Sequence, residues 1–413
     1  MLSWSKPIRG REYALCALLL CIFLTACEST AWQWERVQGR GDVPVARHES
    51  GLVAFDGRIY ILGGRRINPV NVFDPVTGVW STGVASPIEL HHFQPVVFED
   101  SIYLIGAMTG NYPNETPIAR IVRYLPDQDR FEWGREIPIS RRRGGAGVVV
   151  HDGQFYIVGG ITNGHVGGSV SWLDRYDPNT DQWTVLPDAP HSRDHIQAAV
   201  VDDKLYVFGG RRTSQRTGNV LNLTESNSDV FDLQKGTWEA VDRELRIPTE
   251  RAGQSVLAWN DEIVVLGGES ASQQLAHDEV EAFNVTTKRW RRWPNLNRGR
   301  HGTGVGVIGE FAYTMAGSGE RGGSPELIHI ERLALPIRSL TSPTDGGRSH
   351  QTWDPVVLQF QGPDASEHGT INPFLDYRLH VTFESDDLSL VVRGFYAADG
   401  RAAQTGATSG GVW

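Results

Sequence analysis

Cysteine and methionine are almost missing from this chain, with three of each in 413 residues. All three cysteines, Cys16, Cys21 and Cys27, fall within the first 27 positions. Beyond them there is no thiol, which excludes a disulfide framework, cysteine metal sites and thiol catalysis from the rest of the chain. Long apolar runs are also missing. The longest, "ALCALLLCIFL" at 14–24, is too short to cross a bilayer, which takes roughly 20 residues. Positive charge is in deficit, with 39 Lys and Arg against 49 Asp and Glu and a net charge of −10, which argues against a nucleic-acid partner. No phosphate loop, nucleophile elbow or metalloprotease motif occurs.

What is present begins with a processing segment. Lys6, Arg9 and Arg11 precede the apolar run, and "LTAC" at 24–27 closes it, the order of a secretory leader. Those four residues resemble the bacterial lipobox. The resemblance implies cleavage after residue 26 and lipid on Cys27, so the chain is expected to be exported and held at a membrane. Glu28 is not the aspartate associated with inner-membrane retention, so the expected address is the outer membrane or cell surface. Loss of residues 1–26 would take the net charge to −12. The three sequons at Asn114, Asn222 and Asn284 would matter only in a eukaryotic secretory pathway.

Glycine (46) and tryptophan (13) are plentiful, and they recur in register. Glycine pairs stand at 63–64, 159–160, 209–210 and 267–268, with variants Gly106-Ala107 and Ala316-Gly317. Counted from the first residue of each pair, the spacings are 43, 53, 50, 58 and 49. Three positions before it lie Tyr60, Tyr103, Tyr156, Tyr206, Val264 and Tyr313, and seven before it comes a turn such as "DG" at 56–57. Two apolar runs around a tight turn make a hairpin. A second hairpin follows in each unit, ending at Trp80, Trp133, Trp183, Trp238 and Trp290, which are expected to pack between units. Four strands at this period describe the blade of a propeller. The combined pattern resembles the Kelch repeat and covers residues 32 to about 336. The sixth unit lacks a fourth-strand tryptophan, and "WQWERVQG" at 32–39 supplies a spare strand carrying Trp34. The fold class is therefore all-β: a six-bladed Kelch-type propeller at 27–336, closed by its N-terminal strand.

With strands lettered a to d from the axis outward, the b–c and d–a loops share one face. The b–c loops vary from "RRINPVN" to "RRTSQRTGNVLNLTESNSD", and variable loops on a rigid frame are where recognition is concentrated. Sixteen positions before each glycine stand Arg47, Leu90, Arg143, Arg193, Arg251 and Arg300. Five arginines around the channel mouth would form a basic site for an anionic small molecule, glycan or protein. The same repetition suits arginines that hydrogen-bond the frame and tie the ring together. One position later come His48, His91 and His301, the only candidates found for acid–base chemistry, although equivalent positions on neighbouring blades stand far apart for a metal cage.

Some Kelch-like propellers are copper radical oxidases, whose cofactor joins a tyrosine to a cysteine, and the absence of thiols beyond Cys27 excludes that chemistry. A bacterial sialic acid mutarotase is another Kelch propeller, and no motif particular to it is found. No cofactor or metal is expected. The reading is an exported, lipid-anchored recognition protein; a sugar-acting enzyme such as a mutarotase and a protein-docking propeller stay open as alternatives.

Residues 337–350 read as a linker, and 351–413 as part of a β-sandwich with strands near 353–362, 376–385 and 388–400. Trp353, "NPF" at 372–374, Phe383 and "GFYAADG" at 394–400 resemble a β-sandwich domain of unknown function. In its family that domain precedes glycoside-hydrolase-like catalytic domains, some of them labelled collagen-binding. Family members continue into a further strand pair, so the sandwich is expected to be truncated at Trp413.

Overall fold

A computed structural model describes residues 32–240 and 242–336 of the chain. In the tail it describes 361–369, 372–373, 377, 380–385, 388–393, 396–398 and 407–412. The leader, Cys27 and the 337–350 linker lie outside the described residues.

Six four-stranded antiparallel units make the propeller. The first blade runs from the axis outward as Ser50–Phe55, Arg58–Gly63, Pro69–Asp74 and Val79–Ala85. The innermost strands of the other five are Pro95–Phe98, Gly147–His151, Ala198–Val201, Ser255–Trp259 and Val305–Ile308, and each touches the next around the axis. Closure follows the sequence expectation. Glu35–Val37 is the outermost strand of blade 6, pairing antiparallel with Ile330–Ala334 in the register Glu35↔Arg332 and Val37↔Ile330. Nearby Arg40–Gly41 adds a short parallel strand to blade 1.

The core is six apolar layers, one between each pair of neighbouring blades. Trp80, with Phe73 and Leu52, packs on Tyr313 and Met315 across the blade 6–blade 1 seam. Trp34, 3% exposed, fills the blade 5–blade 6 seam and donates its indole N–H to Pro294 O. Trp183, Trp238 and Trp290 pack against the equivalent seams. Trp133 does not. In four blades an aromatic residue on strand c faces the tryptophan of strand d, as Phe73↔Trp80 and Phe283↔Trp290 do. In blade 2 the same pairing is Tyr124↔Phe131, so Phe131 takes the slot and Trp133 is left 43% exposed two residues later.

The glycine pairs mark where one blade meets the next. The first residue of each pair is left-handed, with φ between 59° and 70° from Gly63 to Ala316. A Cβ on Gly267 would sit 2.2 Å from Arg300 O, on the next blade. The second glycine donates its N–H to that same carbonyl: Gly64 to Leu90 O, Gly160 to Arg193 O, Gly210 to Arg251 O and Gly268 to Arg300 O, at 2.8–2.9 Å. Gly317 donates to Arg47 O at 2.8 Å and so joins the last blade to the first.

In the tail, His380–Ser385 pairs with Leu388–Arg393, and Gln361–Ser366 pairs with Ser409–Val412. The last strand carries little sequence signal, since two of its four residues, "SGGV", are glycine. The expected 353–360 part of the first tail strand lies outside the described residues.

Replacing Gly267 with alanine is expected to cost well over the ~1–2 kcal/mol of a left-handed alanine, because the Arg300 carbonyl must also move. Gly57 has the same left-handed φ but nothing within 4 Å, so Gly57→Ala should cost only the backbone component. Urea unfolding of the two variants measures the difference.

Candidate functional site

The five repeated arginines are not on the surface of the mouth. Arg47, Arg143, Arg193, Arg251 and Arg300 are all at most 2% exposed. They lie in the loop entering each blade, and each side chain turns into its own blade. The sixteen-residue spacing is itself a hydrogen bond: Arg47, Arg143, Arg193 and Arg300 each donate to the carbonyl of the residue sixteen positions on, at 2.7–3.1 Å. Arg251 donates to Val265 O instead. The opposite side of each fork meets strand c of the same blade. Arg143 pairs with Asp174, Arg193 with Asp229 and Arg251 with Glu281 at 2.7 Å, Arg300 with Glu331 at 2.5 Å, and Arg47 bonds Asn71.

Burial pushes Arg47 and Arg143 down to about 10, still charged at neutral pH, and Asp174 opposes the shift at Arg143. A guanidinium engaged this fully has no fork left for a ligand, so the expected anion-binding ring is a structural one. Blade 2 shows the same slot without charge. Leu90 replaces the arginine and Val122 the carboxylate, both fully buried in one apolar layer.

The polar mouth is built two positions further along the register. Fourteen positions before each glycine stand Glu49, His92, Gly145, His195, Gly253 and Gly302, every one left-handed with φ between 53° and 65°. Their backbones form a belt around the axis: His92 N–H donates to Glu49 O, Gly145 to His92 O, Gly253 to His195 O and Gly302 to Gly253 O, at 2.7–3.0 Å. Ile196 donates to Gly145 O and Ser50 to Gly302 O to complete it. Inside the belt lies a pocket of about 30 Å³, room for about one water. Three of the six positions keep a side chain where glycine would avoid the left-handed strain of ~1–2 kcal/mol, and strain of this kind gathers at functional sites.

Above the belt the b–c loops bring in more polar groups. Arg65 reaches Glu115 at 2.5 Å, and Arg211 reaches Glu269 at 2.5 Å. His165, on the short 3-10 turn Gly164–Val166, bonds Glu115 through both its backbone N–H and Nδ1, at 3.0 and 2.9 Å. Gly164 has to be glycine there, since a Cβ would lie 2.5 Å from the Glu115 carboxylate. His195 Nδ1 lies 2.5 Å from Asp194. Burial would raise Asp194, but His195 and Arg211 outweigh it and hold the carboxyl down to about 2. Glu115 and Glu269 are likewise held below the usual carboxylate range, against their burial, by His165 and Arg65 in one case and by His301 and Arg211 in the other. Burial lowers His91 to about 3 and depresses His92 and His195.

The sequence-derived histidines are dispersed. His48 pairs with Glu326 at 2.8 Å, and His301 bonds the Glu320 and Gly322 carbonyls at 2.9 and 2.6 Å. His91 joins the central histidines, with its Nδ1 2.5 Å from His92 Nδ1, and His301 lies at their margin, 3.7 Å from Glu49 and 3.4 Å from Glu269. The residues that converge, His92, His165 and His195, were missed. A signal was available: the register column that alternates glycine with Glu49, His92 and His195 is the pattern of a left-handed position. His165, in a loop of variable length, has no such signal.

A six-bladed propeller closed by its N-terminal strand, with a polar site on the face shared by its b–c and d–a loops, defines a binding or docking module. The KLHDC2/KLHL20/DRC7 Kelch-repeats domain matches residues 96–317, more than half the chain, and the protein belongs to the Kelch-repeat family. Residues 349–413 match the domain of unknown function DUF5060. Kelch-like protein terF of Aspergillus terreus is 27% identical over 61% of this chain and 54% of its own length. Beta-scruin of Limulus polyphemus is 27% identical over 59% of this chain and 27% of its own. Kelch-like protein 40 of Xenopus tropicalis is 26% identical over 50% and 34%. The match thus spans about half or less of these relatives. The solved structure titled "Structure of YjhT" superposes with a TM-score of 0.58 at 15% identity, covering 70% of this chain and 95% of that one, a likeness of fold.

Removing Glu281 by mutation to alanine is expected to cost about 3–5 kcal/mol, because Arg251 is left charged and unpaired in the interior. The double change Arg251→Leu with Glu281→Val copies blade 2 and should recover most of that loss in thermal or urea melts.

Proposed function

We propose that the protein is an exported, lipid-anchored binding protein that takes a glycan carrying acidic groups on the b–c loop face of its propeller. The carrying observation is Tyr112. Its ring is 53% exposed on the blade 2 loop and leans on buried His165 at a centroid distance of 5.0 Å, beside the Arg65–Glu115 pair. An exposed ring backed by a fixed neighbour is a platform for the flat apolar face of a sugar, and paired donors and acceptors beside it suit hydroxyl groups.

Charge for acidic groups comes from a different set of arginines than the repeated ring. Arg66, Arg212, Arg216 and Arg321 are exposed on the b–c loops of blades 1, 4 and 6. Arg66 and Arg212 share one register position, three after the first glycine of their pairs. Export and lipid attachment rest on the leader and on "LTAC" at 24–27, and the resemblance of the tail to a domain found ahead of glycoside-hydrolase-like modules gives a polysaccharide setting.

Two measurements test this. On a glycan array, the full chain should bind acidic glycans over neutral ones, and Tyr112→Ala should weaken that binding roughly tenfold, the worth of one aromatic contact. Arg66→Ala with Arg212→Ala should reduce the preference for acidic members. Binding to no glycan, or binding indifferent to these three positions, overturns the glycan reading. Separately, Cys27→Ser should move the protein from the membrane fraction to the soluble one; retention in the membrane overturns the lipid anchor.

A further inference from the structure

The geometry points to a divalent transition-metal site at the axis, formed by Nε2 of His92, His165 and His195 and suited to Zn²⁺. It goes beyond ligand binding on the loops and stands independently of it.

Tautomers assigned from the hydrogen-bond partners carry the inference. A carboxylate can only accept, so His165 Nδ1 donates to Glu115 and His195 Nδ1 donates to Asp194. With the rings neutral, the form in which imidazole binds a metal, both Nε2 atoms are then lone pairs. The third ring is fixed through its neighbour. His91 Nε2 faces Gly110 O at 3.2 Å and must carry the proton, so His91 Nδ1 accepts from His92 Nδ1, and His92 Nε2 is a lone pair as well.

The three rings meet edge to face, with centroids 4.8, 5.0 and 5.2 Å apart, and a donor nitrogen from each lies within 4.8 Å of the other two. All three residues are at least nine-tenths buried, and Nε2 of His92 and of His195 has no hydrogen-bond partner. Two buried lone pairs, on His92 and His195, are thus left without a donor, and a cation would satisfy both.

The surroundings match such an ion. Tetrahedral zinc at ~2.0–2.1 Å from nitrogen places its ligands about 3.4 Å apart, which small ring rotations here can reach. Each ligand is held through its other nitrogen by a carboxylate or by a second histidine, the outer-shell arrangement that orients metal-bound imidazoles. Glu49 Oε2 lies 3.4 Å from His92 Nε2, so an oxygen donor is at hand for the fourth position. Around the cluster, Glu49, Asp194, Glu115 and Glu269 face Arg65 and Arg211, four negative charges against two positive, a surplus that a divalent ion neutralises.

Gly145 explains how residues from blades 2, 3 and 4 can meet. It holds the belt position of blade 3, and a Cβ there would come within 3.2 Å of His195 N. With no side chain on blade 3, the belt histidines of blades 2 and 4 approach each other and His165 folds in from the loop above.

The full chain, dialysed against Zn²⁺ and then against metal-free buffer, should retain one zinc per chain by elemental analysis. Its melting temperature should rise with Zn²⁺ and not with Mg²⁺, and Co²⁺ should give the visible bands of a tetrahedral nitrogen-rich site. His195→Ala should abolish stoichiometric binding, and Asp194→Asn or Glu115→Gln should weaken it about 10–100-fold. Should His195→Ala fail to fold, the wild-type Co²⁺ spectrum and the Glu115→Gln affinity decide the matter. Zinc well below one equivalent with no thermal shift, or wild-type affinity retained in both Glu115→Gln and Asp194→Asn, overturns the site.

Discussion

A two-way latch between glycine pairs and arginines sustains the ring. Within a blade, the arginine side chain reaches back to a glycine carbonyl sixteen residues on and to an acid on strand c. Between blades, the second glycine donates its N–H to the backbone carbonyl of the next arginine. One residue thus fixes the shape of its own blade with its side chain and holds the previous blade with its main chain. The left-handed glycine is required because that carbonyl occupies the space a side chain would fill. Buried ion pairs contribute little net stability against apolar substitutes, and blade 2 keeps its place with leucine and valine in the same slots. What the charged version adds is direction: a guanidinium fork accepts only one arrangement of carbonyls and carboxylate.

The belt depends on that latch. Once the loop entering a blade is pinned, by its arginine or in blade 2 by buried Leu90, the residue two positions later turns left-handed and joins the hydrogen-bonded belt around the axis. Three of the six positions obey the backbone and are glycine. The other three, Glu49, His92 and His195, accept the strain and place a carboxylate and two imidazoles where the blades converge. The site is therefore unequal around a nearly symmetric ring, concentrated where blade 3 offers only hydrogen.

Fold was legible in the sequence because it repeats. Six units, four with a full glycine pair and five with tyrosine at a fixed distance before it, set the register, and the missing sixth tryptophan with the spare Trp34 announced how the ring closes. Trp133 misled because blade 2 carries its aromatic slot at Phe131, a two-residue offset that a repeat search reads as the tryptophan itself. The site was much less legible. A repeated arginine looks the same in sequence whether it faces water or a buried carboxylate, and Asp174, Asp229, Glu281 and Glu331 become its partners only through strand pairing. His165 comes from an irregular loop, and only the folded chain shows that it lands between His92 and His195.

The closure of the ring also has a mechanical side. Trp32, at the start of the described disc, donates its indole N–H to Ala334 O at 2.7 Å and packs on Trp293, and Trp259 bonds Pro336 O at 3.0 Å, so both ends of the disc lie at the seam of blades 5 and 6. The closing strands are antiparallel, with the start of one beside the end of the other. Tension between the two ends would load this seam as a zip, breaking one rung at a time, instead of shearing all rungs at once. The Glu35–Arg332 ion pair and the Trp32 indole stand at the pull of the zip, the first contacts such a load would meet.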